Sequence, residues 1–312
     1  KMMQWEGPLW TDSGGFQIFS MGYGSVVDEI KGKRRYKTKN VKITEQGAEF
    51  IRHETGDKCL LTPEVSMQVQ YKLGADFPFV FDECTPYHLT KVEVESAMHR
   101  SHRWELRSVD EIERLGSKQG IYGIVQGGVY EDLRKCSIKF VNQQKFFGIG
   151  IGGSLGATYQ DMKTILGLCK ENLDPSKPVH LLGIGLMQNI LMGVQYNIDT
   201  FDCVHVTRIA RHGAALVSFP EWTKRDVGYR EHIVLTNSRY KYDYTPLDKH
   251  CQCDICKRYT RAYIHYLLKV KEITGILALI QHNIFFISNF MQEVRNALAG
   301  DYFNALLKQY EE

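Results

Sequence analysis

Three cysteines lie within six residues, as Cys251-Gln252-Cys253-Asp254-Ile255-Cys256. A loop can fold three such thiols around one Zn²⁺, which takes four tetrahedral ligands and binds sulfur as thiolate. The fourth ligand must come from elsewhere, and His250, His265 and His282 are the nearby candidates. His250 adjoins Cys251, a cramped geometry for chelation, whereas His282 follows Gly275 on a helix-like stretch that could fold back. Four protein ligands leave no position for a reacting water, so the expected metal is structural.

Two aspartates stand in unusual settings. Asp12 occurs in Trp10-Thr11-Asp12-Ser13-Gly14-Gly15-Phe16-Gln17, and Asp202 in Phe201-Asp202-Cys203-Val204. A carboxylate among apolar residues costs free energy to bury, so it caps a helix, pairs with a cation or does chemistry. Breaking and remaking a glycosidic bond needs two carboxylates, one to attack the sugar and one to move the leaving group's proton. Gly127-Gly128 after Gln126, and Gly152-Gly153, let a backbone approach a flat ligand or a phosphate. The run Gly148-Ile149-Gly150-Ile151-Gly152-Gly153 lacks the spacing of a dinucleotide fingerprint.

These residues sit at the ends of short apolar runs. Phe77–Phe81 leads to Asp82, Ile121–Val125 to Gln126, Phe147–Ile151 to Gly152, His180–Leu182 to Gly183, and Thr200-Phe201 to Asp202. Helical patterns lie between them: one starts at Thr62-Pro63, a capping residue and a first-turn proline, and others span Val92–Arg107 and Tyr159–Cys169. Strand, polar tip and helix in repetition predict a parallel α/β fold. Chemistry-bearing residues at successive strand ends favour a closed barrel, with a doubly wound open sheet as the alternative. From about Gly228 the rhythm loosens into the tyrosine-rich Tyr240–Tyr244, where an appended metal-binding region is expected to begin.

Composition sets outer limits. The 312 residues are 43% hydrophobic and 24% charged, with net charge +3, which neither demands nor excludes a nucleic-acid partner. Of eight cysteines five are scattered, a pattern unlike a secreted disulfide framework and in keeping with reduced thiols in the cytoplasm. No uninterrupted apolar run approaches the ~20 residues of a membrane span, so no membrane partner is expected. The basic segment Lys31–Lys42 could grip phosphates or form a solvated loop.

The ordered motifs Thr11–Gln17, Phe81-Asp82-Glu83-Cys84-Thr85-Pro86-Tyr87, Val125-Gln126-Gly127-Gly128, Phe201-Asp202-Cys203-Val204 and Cys-x-Cys-x2-Cys resemble the tRNA-guanine transglycosylase family, especially its bacterial branch. The resemblance implies a (β/α)8 TIM-type barrel over residues 1–227 and a zinc-binding region with C-terminal helices over 228–312. It implies replacement of the wobble guanine of GUN-anticodon tRNAs by a 7-deazaguanine in queuosine modification. Asp202 matches the family's nucleophile, attacking ribose C1′ to form a covalent glycosyl-enzyme, and Asp12 its general acid/base. Asp82 would accept from the purine's N–H groups, with Gln126 and the Gly153 backbone on its carbonyl side. Ser13 would add a polar contact, Phe16 would stack on one face and Leu182 would cover the other. Arg208 and Arg211 match anticodon-contacting arginines, and the fourth ligand of the single structural zinc falls on His282. The implied partners are a tRNA anticodon loop, the 7-deazaguanine base and a second copy of the chain.

Some positions depart from the family pattern. The usual proline-threonine-arginine after the nucleophile reads Val206-Thr207-Arg208. Gly156, in Gly152-Gly153-Ser154-Leu155-Gly156-Ala157, replaces a valine lining the pocket, which makes room for queuine beside 7-aminomethyl-7-deazaguanine. The resemblance starts late, so two further strands are expected upstream of Lys1. A non-catalytic tRNA-docking subunit would be expected to lack Asp202 and Asp12, and a zinc hydrolase would need an open metal position.

Overall fold

A computed structural model describes residues 3–24, 41–52, 54–224 and 229–311. Positions 31–40 of the basic segment lie outside them. The chain divides into two compact units, Lys1–Leu182 with Gln195–Thr200, and Gly183–Val194 with Phe201–Glu312.

The first unit is built on parallel strand pairing. Trp10–Thr11 pairs with Phe77–Pro78, Phe79 bridges to Tyr122, Tyr122–Val125 pairs with Gly148–Ile151, and that strand pairs with Val179–Leu181. Parallel neighbours need crossovers, and helices Pro63–Leu73, Lys91–Arg114, Glu131–Gln143 and Tyr159–Asn172 supply them. An expected parallel α/β arrangement is therefore present. Three of these four helix starts are encoded by a local side-chain cap. Thr62 accepts from Val65 N ahead of Pro63, while Thr90 with Glu93 and Thr158 with Asp161 form reciprocal capping boxes. One addition is an antiparallel meander of Val41–Ile43, Ala48–Ile51 and Lys58–Leu61.

Gln70 locks the first strands together from within the core. Its side-chain oxygen accepts from Thr11 Oγ1 at 2.8 Å and Phe79 N at 3.2 Å, and its amide donates to Phe79 O at 2.9 Å. Phe81 stacks on Trp104 with ring centroids 4.8 Å apart, both fully buried. Those contacts fix the backbone that delivers Asp82.

The second unit holds the antiparallel pair Ala214–Leu216 and His232–Val234 and helices Met187–Gln195, His205–Arg211, Asp254–Arg258, Arg261–Lys269, Ile273–Ala299 and Phe303–Glu311. Leu247, Ile264 and Leu279 centre one apolar cluster; Phe290, Val294, Leu306 and Tyr310 belong to another. The helix Ile273–Ala299 is the longest apolar element among the described residues. It has 27 residues, and its apolar window reaches a mean hydropathy of 1.4, enough by length and composition to cross a membrane. The polar stretch Gln281-His282-Asn283 interrupts its apolar runs, so counting uninterrupted runs overlooks a high average. The His282 and Asn283 side chains are fully buried here and hydrogen-bonded to the backbone of strand Ala214–Leu216.

Candidate active site and metal centre

In the first unit, the turn after strand Trp10–Thr11 brings Ser13 to Asp82. Ser13 Oγ lies 3.3 Å from Asp82 Oδ1 and also accepts from Gly15 N at 3.2 Å. Ser66 Oγ donates to Ser13 O at 2.6 Å, fixing the turn to helix Pro63–Leu73. Gly15 is required by close approach, since a Cβ there would stand 2.3 Å from Asp82 Oδ1. On the other side Gln126 Nε2 donates to Asp82 Oδ2 at 2.7 Å. Gly153 is next in line: a Cβ at that position would lie 2.8 Å from Gln126 Oε1. Leu182 approaches the same loop, with Cδ1 3.7 Å from the Cβ position of Gly152.

Ser13, Asp82, Gln126, Gly153 and Leu182 thus form one continuous patch at the carboxyl ends of the parallel strands. Phe16 follows on the first turn of helix Gly15–Tyr23 and is half exposed, leaving its ring available for stacking. Asp82 is 7% exposed, and burial, reinforced by the charge of Asp12, pushes its carboxyl up to about 7. Asp12 itself is solvent-exposed. Glu105, fully buried in helix Lys91–Arg114, is pushed well above the carboxylate range by burial and accepts from Ile124 N at 3.3 Å.

In the second unit Asp202 is exposed at the end of Thr200–Phe201, and its Oδ1 accepts from Gly183 N at 2.9 Å. It lines a cleft of about 370 Å³ with Gly185, Val206, Met291 and Arg295. Its carboxylate is therefore accessible from the cleft. Arg208 and Arg211 are both exposed on helix His205–Arg211.

The metal-ligating atoms of Cys251, Cys253, Cys256 and His282 all lie within 4.8 Å of one another. His282 Nδ1 is 3.7, 3.4 and 3.3 Å from the three sulfurs in that order. Its Nε2 donates to Leu216 O at 2.9 Å, which leaves Nδ1 as the lone-pair donor facing the thiols. Three sulfurs this close cannot all ionise without a cation between them, so the donor set fits one metal ion. Asp248 shapes the loop by accepting from His250 N and Cys251 N, each at 2.8 Å. His265 is a packing residue, buried with Nδ1 2.6 Å from Leu235 O.

Reading the sequence did not single out Gln70, Asp248 or Arg134 for the site. Arg134 carries a detectable signal, falling on the buried face of helix Glu131–Gln143 with Leu133, Ser137, Ile138 and Val141.

The family model described as Queuine tRNA-ribosyltransferase matches residues 1–312. The chain belongs to that family. It is 39% identical to the Queuine tRNA-ribosyltransferase of Pasteurella multocida over 310 residues, covering 99% of this chain and 73% of that protein. The protein of that name from Protochlamydia amoebophila is 40% identical over 296 residues, covering 94% and 74%, and that of Roseiflexus is 38% identical over 309, covering 95% and 76%. The resemblance carried by the motifs is thereby confirmed. Queuine tRNA-ribosyltransferases are transglycosylases of the pentosyltransferase class, and this chain spans about three quarters of the relatives it matches.

Proposed function

We propose that this enzyme removes guanine from the wobble position of GUN-anticodon tRNAs and inserts a 7-deazaguanine through a covalent aspartyl-ribosyl intermediate. The observation that carries the reading is the Asp82–Gln126–Gly153 patch. A guanine-type base presents two N–H donors beside one carbonyl acceptor. Asp82 offers acceptors for the first, and Gln126 with the Gly153 N–H offers donors for the second. Ser13 adds a polar contact, and Phe16 and Leu182 supply the two faces of a slot for a flat ring. The target base must leave the anticodon stack to enter, which a single-stranded loop makes inexpensive at a few kcal/mol.

Asp202 is the proposed nucleophile, supported by its exposure and by the Gly183 N–H that orients it. Asp12 is the proposed acid/base: it protonates departing guanine, then takes a proton from the incoming base. Arg208 and Arg211 would hold anticodon phosphates or bases. The consecutive parallel strand order supports a (β/α)8 barrel, with core 1–227 and a zinc region over 228–312. The Cys3His set supports a structural zinc, because four protein ligands leave no open position. Cytoplasmic location and a homodimer complete the proposal.

The preferred base is proposed to include queuine beside 7-aminomethyl-7-deazaguanine, on the strength of Gly156. A Cβ at Gly156 would stand 2.2 Å from Asp161 Cβ at a φ of +92°, so the turn itself also calls for glycine, and the queuine reading rests on the family comparison at this position. Exchange assays with both labelled bases test this, and use of the aminomethyl base alone would overturn the queuine part. The reaction itself is tested by labelled guanine incorporation into tRNA. Wild type should incorporate label and Asp202→Ala should not, with mass spectrometry placing the trapped tRNA adduct on Asp202. Binding of tRNA with no incorporation by wild type would reduce the chain to a docking subunit.

A further inference from the structure

Arg134 is fully buried, yet its four hydrogen bonds all go to main-chain oxygens. Nε donates to Gly128 O at 2.7 Å, Nη1 to Val125 O at 3.0 Å and to Gly152 O at 2.8 Å, and Nη2 to Ser154 O at 2.9 Å. These oxygens come from two loops, 125–128 and 152–154, that flank Gln126 and Gly153. A buried cation is costly, and a guanidinium held by carbonyls is an expensive way to join two loops if apolar packing would serve. Burial pulls its pKa down to about 10, so it stays cationic at neutral pH.

Peptide geometry turns this clamp into an aiming device. No peptide bond here is cis, so the carbonyl of Gly152 and the N–H of Gly153 point in opposite directions. Holding Gly152 O on Arg134 therefore turns the Gly153 N–H away from the guanidinium. Val125 O is fixed twice, by Arg134 and by Gly152 N at 3.0 Å. The next amide, Gln126 N, then donates to Ser137 Oγ at 2.9 Å, which sets the backbone from which the Gln126 side chain reaches Asp82.

We propose that Arg134 is a positioning residue for base selection: it aims the Gly153 N–H at the 6-carbonyl of the incoming purine and fixes the backbone from which the Gln126 amide can turn to it, without touching the base. This rests on the proposed base site at Asp82, Gln126 and Gly153. A lysine at 134 has one ammonium and cannot span four carbonyls in a plane, so both loops lose their fixed orientation.

The test compares guanine with 2-aminopurine, which lacks the 6-carbonyl and with it the N1–H, as competing bases for wild type and Arg134→Lys; the N1–H difference is common to both enzymes and cancels in the comparison. Wild type should prefer guanine strongly, and Arg134→Lys should lose about tenfold or more of that preference, as expected when donors for one carbonyl are misaligned. KM for tRNA should stay within about twofold, since the clamp touches no proposed RNA contact. A purely structural role would weaken both bases equally, and an unchanged preference ratio in folded Arg134→Lys overturns the proposal. Hydrogen exchange on unmodified protein serves if that variant fails to fold: guanine should slow exchange of the Gly153 amide, and no slowing despite saturating guanine overturns it. Failure of wild type to incorporate guanine at all would instead sink the base-exchange reading, and this inference with it.

Discussion

Gln126 donates its amide to Asp82 across 2.7 Å, so the two groups proposed to read adjacent positions on one edge of the base are hydrogen-bonded to each other. On the proposed reading, entry of a purine replaces that bond, with Asp82 receiving N–H donors and Gln126 turning to the carbonyl. Asp82 is pushed from its ordinary 3.8 up to about 7, first by burial and then by Asp12. Its ionised form is the better acceptor, so guanine exchange should rise with pH through about 7 and level off above. A pH profile of kcat/KM for the base checks this, and a profile flat from pH 5.5 to 8.5 would count against it.

The same shift has a stability consequence of opposite sign. A carboxyl whose folded pKa is raised binds its proton more tightly in the native state. Its contribution is full below about 4 and is lost as pH rises through about 7. Asp82→Asn should remove that loss and unfold at higher urea than wild type at pH 8, by up to about 4 kcal/mol as an upper bound. The variant should nonetheless incorporate guanine at least about tenfold more slowly.

Removal of the metal should unfold rather than merely inactivate. Treatment with a strong chelator, or His282→Ala, should lower Tm and cost several kcal/mol in the second unit, because thiolates drawn together for an ion are left without one. Metal analysis should return one ion per chain. Full stability after complete metal loss would contradict a structural role.

Gly156 and Asp161 are coupled. Gly156→Val should cost on the order of 1–3 kcal/mol, from a positive φ and from a collision with the side chain that caps helix Tyr159–Asn172. Asp161→Ala should recover part of that loss, as seen by urea midpoints of the single and double variants.

Glu231 is buried at the start of helix Met187–Gln195 and accepts from Met187 N at 2.9 Å and Gln188 N at 3.2 Å. Burial raises its carboxyl to about 7. Glu231→Ala should lower stability by about 1–3 kcal/mol for the buried N–H groups it abandons, read from chemical denaturation.

Much of the site was legible because its residues punctuate apolar runs. Asp82, Gln126 and Gly153 follow strands whose type and order are plain in the sequence, and Thr62, Thr90 and Thr158 announce helices by local hydrogen bonding. The choice among His250, His265 and His282 was not open to spacing, since it depends on which helix face returns to the cysteine loop. The Val41–Leu61 meander stayed hidden because strands of three or four residues leave too few alternations to read. The buried helix face of Arg134 is legible in the pattern, but its partners and those of Gln70 are not: each satisfies distant backbone groups, and no local pattern reports where a long polar side chain ends.

His282 and Asn283 are neighbours on one helix but serve different masters. The imidazole faces the cysteines and rests on Leu216 O; the amide accepts from Leu216 N at 2.9 Å and donates to Val206 O at 2.9 Å. Val206 sits in the short helix that bears Arg208 and Arg211. An ion seated among the thiols would therefore brace the helix bearing two exposed guanidiniums through a relay of adjoining side chains, so that its loss slackens the very segment proposed to meet RNA as the second unit unravels.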